Sequence, residues 1–165
     1  MLEPMDAYCL ARHLRDSGNG ISDIEDVYTR FAHASLLDGI YPIFLVNTQE
    51  DDHACVLLEN GRCSVYEARP RVCRLYPFSV DTGTRGRRFA YLQSIDRHQD
   101  HFTGRSVSVE NWMYENFTRD AREFVEAESD ILPELGHLLR RLGEDGRRSI
   151  LFQVMYYRYY NYNLD

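Results

Sequence analysis

Three of the chain's four cysteines lie within one short segment, "CVLLENGRCSVYEARPRVCRLYPF", which constrains the fold of these 165 residues more than any other feature. The three are Cys55, Cys63 and Cys73. Asn60-Gly61, between the first two, favours a tight hairpin turn, and the two prolines of the segment force extended or turning backbone before them. The segment predicts an irregular, β-rich region. It leaves three roles open for the cysteines: small core residues, a disulfide framework, or metal ligands.

The N-terminal sequence, "MLEPMDAYCLARHLRD", bears on the compartment and thereby on the cysteines. It has no apolar stretch typical of a signal peptide, and no apolar run of the chain reaches the roughly 18 residues that span a bilayer. We therefore expect a cytoplasmic protein without membrane association. Because cysteines in a reducing cytoplasm stay as thiols or bind metal, a disulfide framework is the weakest of the three roles.

The charge of the chain excludes further classes of function. The net charge is −7, so we expect no nucleic-acid partner, because such binding needs a positive surface. All 19 basic residues are arginine, whose guanidinium stays protonated, and this excludes lysine Schiff-base and general-base chemistry. The sequence contains no phosphate-binding loop, G-x-S-x-G or H-E-x-x-H motif. Whether the protein is an enzyme stays open.

Hydrophobic periodicity predicts one α+β domain over residues 1–165. Residues 1–39 are expected to be helical, residues 40–97 to form the β-rich cysteine segment, and residues 106–160 to be helical again. In the middle region "YPIFLVN" and "FAYLQSI" read as strands, and "ACVLLENGRCSVY" reads as a hairpin.

Sequence signals in the two helical regions predict where individual helices begin and end. Ser22 and Glu25 have the spacing of a capping box at the start of "SDIEDVYTRFA". The C-terminal region predicts three helices: an amphipathic one over residues 109–125, a short one over residues 130–142 with Pro133 in its first turn, and "EDGRRSILFQVMYYRYY".

The aromatic residues of the last predicted helix indicate packing rather than base stacking, since they recur at helical spacing in an acidic chain. The residues concerned are Phe152, Met155, Tyr156, Tyr159 and Tyr160. Exposed tyrosines would instead indicate a surface for a protein partner or for a homo-oligomer.

The loop length of the cysteine hairpin separates the packing and metal roles. With a two-residue loop, Leu58 faces Cys63, and Cys55 points to the opposite face. With a three-residue loop, Leu57 faces Cys63, and Cys55 lies one diagonal step away on the same face, with roughly 7 Å between the Cβ atoms. That separation is too long for an unstrained disulfide but suits a metal site. The metal interpretation therefore predicts the three-residue loop.

The cysteine segment resembles the YkgJ-type cysteine-cluster family, whose domains are zinc- or iron-chelating and in some members iron–sulfur. The shared pattern is C-x-x-L…G-x-C-x-(I/V)-(Y/H)-x-x-R-P-x-x-C-R-x-(Y/F)-P. It is matched at Cys55, Leu58, Gly61, Cys63, Val65, Tyr66, Arg69, Pro70, Cys73, Arg74, Tyr76 and Pro77. "LEPMDAYCLARHL" and "FAYLQS" also resemble family segments, so the resemblance covers most of residues 2–97. It implies that the three cysteines are thiolate ligands of zinc or iron.

The sequence departs from the family in two places. The dense C-x-x-C-x-x-CC cluster expected before Leu2 has no counterpart, and "DRHQDH" lacks the cysteine that follows the "FAYLQS" strand in many relatives. Three thiolates complete neither a structural zinc site nor a four-cysteine cluster. The fourth ligand would be His53, His98, His101, a residue upstream of Met1 or a group from a partner.

Two further expectations concern side chains near the pattern. Cys9 lies outside it and is expected to be a core thiol on a helix face. Arg69 and Arg74 either lower the pKa of nearby thiols or, as we favour, pair with an acid or a carbonyl in the turn. The sequence thus predicts a metal-binding cysteine-cluster protein with zinc or iron. The alternatives are a metal-free interaction or scaffold protein that keeps the fold, and an iron-dependent oxidoreductase.

Overall fold

The computed structural model describes residues 1–37, 39–76, 78–81, 90–93 and 108–165. The chain forms two compact units. The first comprises Met1–Arg71 and Gly136–Asp165, and the second comprises Val72–Leu135. Helices precede and follow a β-containing middle region, so the predicted α+β class is confirmed.

The helices and strands follow one another in this order along the chain: α1 (Pro4–Asp16), α2 (Ile24–Phe31), β1 (Ala32–Leu37), β2 (Tyr41–Val46), β3 (Leu58–Glu59), β4 (Arg62–Cys63), a 3₁₀ turn (Tyr66–Ala68), α3 (Arg71–Leu75), β5 (Phe78–Asp81), β6 (Ala90–Gln93), α4 (Val109–Asn116), α5 (Arg119–Arg141), α6 (Glu144–Met155) and a π-helical turn (Tyr156–Tyr160). Within the described residues the strands form three separate antiparallel pairs, β1–β2, β3–β4 and β5–β6. None of the described helices is both long enough and apolar enough to cross a bilayer.

Helix α1 begins at Pro4, where the missing amide hydrogen of proline costs no helical hydrogen bond. Its buried face is formed by Pro4, Asp6, Ala7, Leu10, Ala11 and Leu14. At 100° per residue this stripe turns Cys9 away from the core, and Cys9 is exposed. The expectation of a core thiol at Cys9 was therefore wrong.

Helix α2 begins one residue later than the sequence indicated. Its capping box is formed by Asp23 and Asp26, because the Asp26 amide donates to Asp23 and the Asp26 carboxylate accepts from the Asp23 amide. The Ser22 amide also donates to Asp26, at 2.7 Å. These backbone donors hold the pKa of Asp26 below its ordinary value. The Ser22–Glu25 prediction was wrong because Asp23 takes the N-cap position and the Asp26 carboxylate accepts the hydrogen bond from the Ser22 amide.

Strand β1 lies within residues 1–39, where the sequence indicated only helices. It pairs with β2 in a register from Ala32 opposite Val46 to Leu37 opposite Tyr41. The predicted apolar strand "YPIFLVN" is present as β2. Leu2 forms an isolated antiparallel bridge with Phe44 of β2, and the Leu2 amide donates to the Phe44 carbonyl at 2.8 Å. Strand pairing with β2, a tertiary contact, thus decides the conformation of "AHASLL".

An aromatic cluster forms the centre of the first unit. The Tyr28 ring stacks on Phe44 with 4.2 Å between centroids, and the Tyr159 ring meets Phe44 edge-on at 5.1 Å. The Tyr159 hydroxyl donates to the Pro42 carbonyl at 3.1 Å. Burial raises the pKa of Tyr28, so its hydroxyl stays protonated.

The aromatic residues of α6 and the π-helical turn divide between core and surface. Tyr159 is fully buried, whereas Phe152 is 76% exposed and Tyr156 is 49% exposed. Neighbouring Tyr157 is 65% exposed. The prediction that the whole set packs inward was wrong for Phe152 and Tyr156. The widened π-helical turn changes the angular spacing, so a face extrapolated at 3.6 residues per turn does not continue through it.

The second unit has its own small core. Leu75, Met113 and Phe117 are buried there, and Trp112 lies edge-on to Phe117 with 5.9 Å between ring centroids. Strands β5 and β6 pair from Phe78 opposite Gln93 to Asp81 opposite Ala90.

The helix boundaries of the C-terminal region differ from those predicted. Helix α4 ends before Phe117, whose backbone is extended. The Thr118 hydroxyl then accepts a hydrogen bond from the Ala121 amide at 3.3 Å. Helix α5 continues from Arg119 through Pro133, which lies inside the helix instead of in a first turn. The threonine cap thus sets the start of α5, and the proline does not start a new helix.

Candidate metal centre

The hairpin that carries Cys63 has a two-residue loop. Asn60 and Gly61 both adopt left-handed backbone, with φ of 50° and 74°, as the common two-residue hairpin turn requires. Leu58 pairs with Cys63, and Glu59 pairs with Arg62. The three-residue loop predicted by the metal interpretation was therefore wrong. Asn-Gly accommodates positive φ at two consecutive positions, so the shorter loop forms.

Strand β3 begins at Leu58 and does not extend back to Cys55. The Leu58 amide donates to the Cys55 carbonyl at 2.9 Å, so the chain turns between these residues. Cys55 forms an isolated antiparallel bridge with Thr48, and the Gln49 side chain donates to the carbonyls of Cys55 and Leu58 at 3.4 and 3.2 Å. The face alternation of an extended strand therefore does not determine where the Cys55 thiol points. Its side chain is exposed.

Cys63 is half-buried at the edge of a cavity of about 410 Å³. The cavity is lined by Gly61, Arg62, Cys63, Tyr66 and Arg69. The Arg69 guanidinium lies over the Tyr66 ring, 4.0 Å from its centroid. This contact replaces the acid or carbonyl partner expected for Arg69, because a planar guanidinium gains both stacking and cation–π attraction on an aromatic face.

Cys73 lies on the short helix α3, is exposed and belongs to the second unit. In that unit the Arg74 guanidinium lies 4.9 Å from the centroid of the Phe117 ring. Cys55 and Cys63 belong to the first unit. The four cysteines of the chain form no disulfide with one another.

A cluster of buried charges fixes the start of α3, and no pattern in the sequence predicts this cluster. The Arg71 guanidinium pairs with Glu3, with Nε donating to Oε2 at 2.7 Å and a second donor on the other oxygen. The Arg71 amide donates to Asp6 Oδ1 at 2.8 Å. Glu3 and Asp6 are only 6% and 4% exposed. Partners 65 to 68 residues apart leave no local pattern, so no periodicity argument finds them.

Of the three histidines considered as a fourth ligand, one lies within the described residues. His53 is exposed and adopts left-handed backbone with φ of 57°, in a turn where the Asp52 carboxylate accepts from the Ala54 amide. His98 and His101 lie outside the described residues. Over the described part of the chain, no three His, Cys, Asp or Glu side chains are close enough together to hold a metal ion. The thiols suit zinc or iron in kind, but the described residues do not complete a coordination sphere.

Comparison with known proteins gives a family. Neither the curated proteins nor the solved structures contain a significant match to the chain. The family model described as "CxxCxxCC: Putative zinc- or iron-chelating domain" matches residues 18–104, a stretch that includes Cys55, Cys63 and Cys73. Since this match spans more than half of the chain, the protein belongs to the CxxCxxCC cysteine-cluster family.

Proposed function

We propose that this protein binds zinc or iron in the cytoplasm, with Cys55, Cys63 and Cys73 as thiolate ligands. The observation that carries the proposal is the family match over residues 18–104, which contains all three cysteines. A reducing cytoplasm would keep the thiols available.

Two of the three proposed ligands lie in the first unit. Leu58 is joined to Cys55 by a hydrogen bond and is paired with Cys63 across the hairpin, so both cysteines flank one residue. Neither thiol is fully buried or held in a disulfide, so each is accessible to an incoming ion. Thiolates are ligands that zinc and iron–sulfur centres prefer.

The ligand set needs a fourth member, for which His53, His98, His101 or a group from another chain are the candidates. One histidine with three cysteines would give a closed tetrahedral zinc site, which stabilises the folded state and has no open position for substrate. The bound ion would thus supply folding energy at the loop-rich cysteine segment.

The test is the metal content of full-length protein purified without oxygen. The wild type and the exposed-thiol control Cys9→Ser are expected to retain zinc or iron. Cys55→Ser, Cys63→Ser and Cys73→Ser are each expected to bind at least about tenfold more weakly, since one strong ligand is lost. Elemental analysis gives the content, and competition with a coloured chelator gives the affinity. An absorption spectrum separates iron, with visible charge-transfer bands, from colourless zinc.

A wild-type protein without zinc or iron, with freely titratable thiols and unchanged stability in chelator, would refute the proposal. Equal metal affinity in Cys9→Ser and in the three other variants would refute the ligand assignment.

A second candidate, a metal-free interaction protein or homo-oligomer, is favoured by the exposure of Phe152, Tyr156 and Tyr157. Large exposed aromatic side chains are typical of protein-binding surfaces. In that case Cys→Ser changes alter only packing, and sedimentation shows self-association or a partner that depends on Phe152.

A further inference from the structure

The cavity beside Cys63 has an unusual charge for this chain. Of the five described residues that line it, two are arginines, Arg62 and Arg69, in a protein with a net charge of −7. Over the part of the chain that the structure describes, neither guanidinium forms an ion pair with a carboxylate. The positive charge of the cavity wall is therefore not neutralised by an ion pair with any of the described residues.

Arg69 shows this most clearly. Its Nε atom is buried and has no hydrogen-bond partner among the described residues. A buried donor without an acceptor costs free energy, typically about 1–3 kcal/mol. The Tyr66 ring at 4.0 Å fixes the plane of the guanidinium without accepting its in-plane hydrogen bonds. The Nε donor of Arg69 is thus held beside an aromatic ring and is not used by any described residue.

Arg62 is exposed and stands at the end of the hairpin turn, opposite Glu59 in the strand register. The Glu59 carboxylate lies beyond ion-pairing distance, so it lowers the local positive charge without occupying the Arg62 donors. Removal of the Glu59 charge should therefore make the cavity more attractive to an anion.

We propose that the cavity lined by Arg62, Cys63, Tyr66 and Arg69 binds a small organic oxyanion, a molecule bearing a phosphate or carboxylate group. Arginine forks match these groups with two parallel hydrogen bonds, and an acceptor would satisfy the buried Nε donor of Arg69. The cavity volume of about 410 Å³ lies in the range of small-molecule pockets, roughly 300–1,000 Å³, so it admits more than the oxyanion itself. The anion would cover the Cys63 thiol. This site requires no metal.

The experiment measures anion binding by the full-length chain after chelator treatment, so that it does not depend on the metal proposal. The probes are inorganic phosphate and phenyl phosphate, titrated by calorimetry at constant ionic strength, with sodium chloride as the salt control. Both probes are expected to bind. Tighter binding of phenyl phosphate than of inorganic phosphate would support an organic ligand. Equal affinities for the two probes would contradict the organic part of the proposal.

Matched variants locate the site. Arg69→Gln and Arg62→Gln are expected to weaken phosphate binding by about tenfold or more each, as for the loss of a charge-assisted hydrogen bond. Arg12→Gln removes the same charge from an exposed position on α1 and should change little. Glu59→Gln should strengthen binding. Because Arg62 is exposed, its variant keeps the test valid if Arg69→Gln fails to fold.

A second readout uses the thiols. Phenyl phosphate is expected to slow alkylation of Cys63 by neutral iodoacetamide, while exposed Cys55 in the same sample reacts at an unchanged rate, as peptide mass spectrometry would show. The proposal is overturned if chloride at equal ionic strength has the same effect, or if Arg62→Gln binds phosphate as tightly as the wild type and the Arg12→Gln control do. A wild-type protein that binds phosphate but contains no metal after purification without oxygen would refute the metal proposal alone.

Discussion

Two acidic residues at the beginning of α1, Glu3 and Asp6, are buried because both act on a distant segment of the first unit. Glu3 accepts two hydrogen bonds from the Arg71 guanidinium, and Asp6 accepts the Arg71 amide. These contacts hold the residue that follows the Arg-Pro pair of the cysteine pattern. A pair this buried stabilises the fold only while both partners are present.

We expect Arg71→Leu to lower the free energy of unfolding by about 3–5 kcal/mol, because it leaves the Glu3 carboxylate buried without its counter-charge. The double variant Glu3→Leu/Arg71→Leu should recover most of that loss. The Asp165 side chain is 90% exposed and forms a surface ion pair with Arg15. The control Asp165→Asn removes this pair and should change stability by less than about 1 kcal/mol. Urea unfolding measures all four proteins. A double variant as unstable as the single one would contradict the explanation.

Asp26 gives a pH dependence whose sign follows from its capping contacts. The amides of Ser22 and Asp23 lower the folded-state pKa of Asp26 below the unfolded value of about 3.9. Its stabilising contribution is therefore fully present above about pH 4 and is lost as the pH falls through the lowered folded pKa.

We expect Asp26→Asn to lower the unfolding temperature at neutral pH, and the difference from the wild type to shrink as the pH falls below about 4. Thermal unfolding followed by circular dichroism across this range measures both. Asp51→Asn, at an exposed turn position, serves as the charge-matched control and should show no such narrowing. A difference that stays constant down to low pH would count against the capping mechanism.

At the scale of elements, the β3–β4 hairpin depends on one glycine. Gly61 has φ of 74°, and a Cβ added there would meet nothing within 4 Å. The cost of a side chain at this position is thus backbone strain and not a clash. The hairpin turn sets the pairing of Leu58 with Cys63, and it thereby sets the position of the half-buried Cys63 residue.

We expect Gly61→Ala to lower stability by about 1–2 kcal/mol and to weaken metal binding by distorting the hairpin. The same substitution at Gly136, inside α5 and 3.7 Å from the flexible end of Arg140, should raise stability by about 0.5–1 kcal/mol. Chemical denaturation compares the two. Losses of equal size at the two positions would contradict the explanation from left-handed backbone at Gly61.

At the scale of the whole molecule, the family match covers parts of both compact units, since it runs from residue 18 to residue 104. The proposed ligands divide likewise, with Cys55 and Cys63 in the first unit and Cys73 in the second. All three proposed ligands are therefore present only in the full-length chain. For this reason the metal assay requires the full-length protein, and truncation to one unit would remove a ligand.

Local patterns predicted the elements whose formation depends on near neighbours. Pro4 starts α1, the apolar run "YPIFLV" forms β2, and Asn60-Gly61 forms a hairpin turn. They failed where a competing group decided the outcome. Asp26 accepts the hydrogen bond from the Ser22 amide that was assigned to Glu25, and Thr118 caps the start of α5 upstream of Pro133. These two failures shift a helix boundary without changing the type of element, whereas β1 is a strand within residues predicted to be helical.

The sequence by itself determined the fold class, the hairpin and the family, because turn chemistry, periodicity and the spacing of cysteines are properties of adjacent residues. Only the tertiary structure decided that Cys9 faces outward, that β1 pairs with β2, that Arg71 joins Glu3, and that Arg69 stacks on Tyr66. These features depend on burial and on partners brought together by folding, and their free energies exist only once the chain is compact.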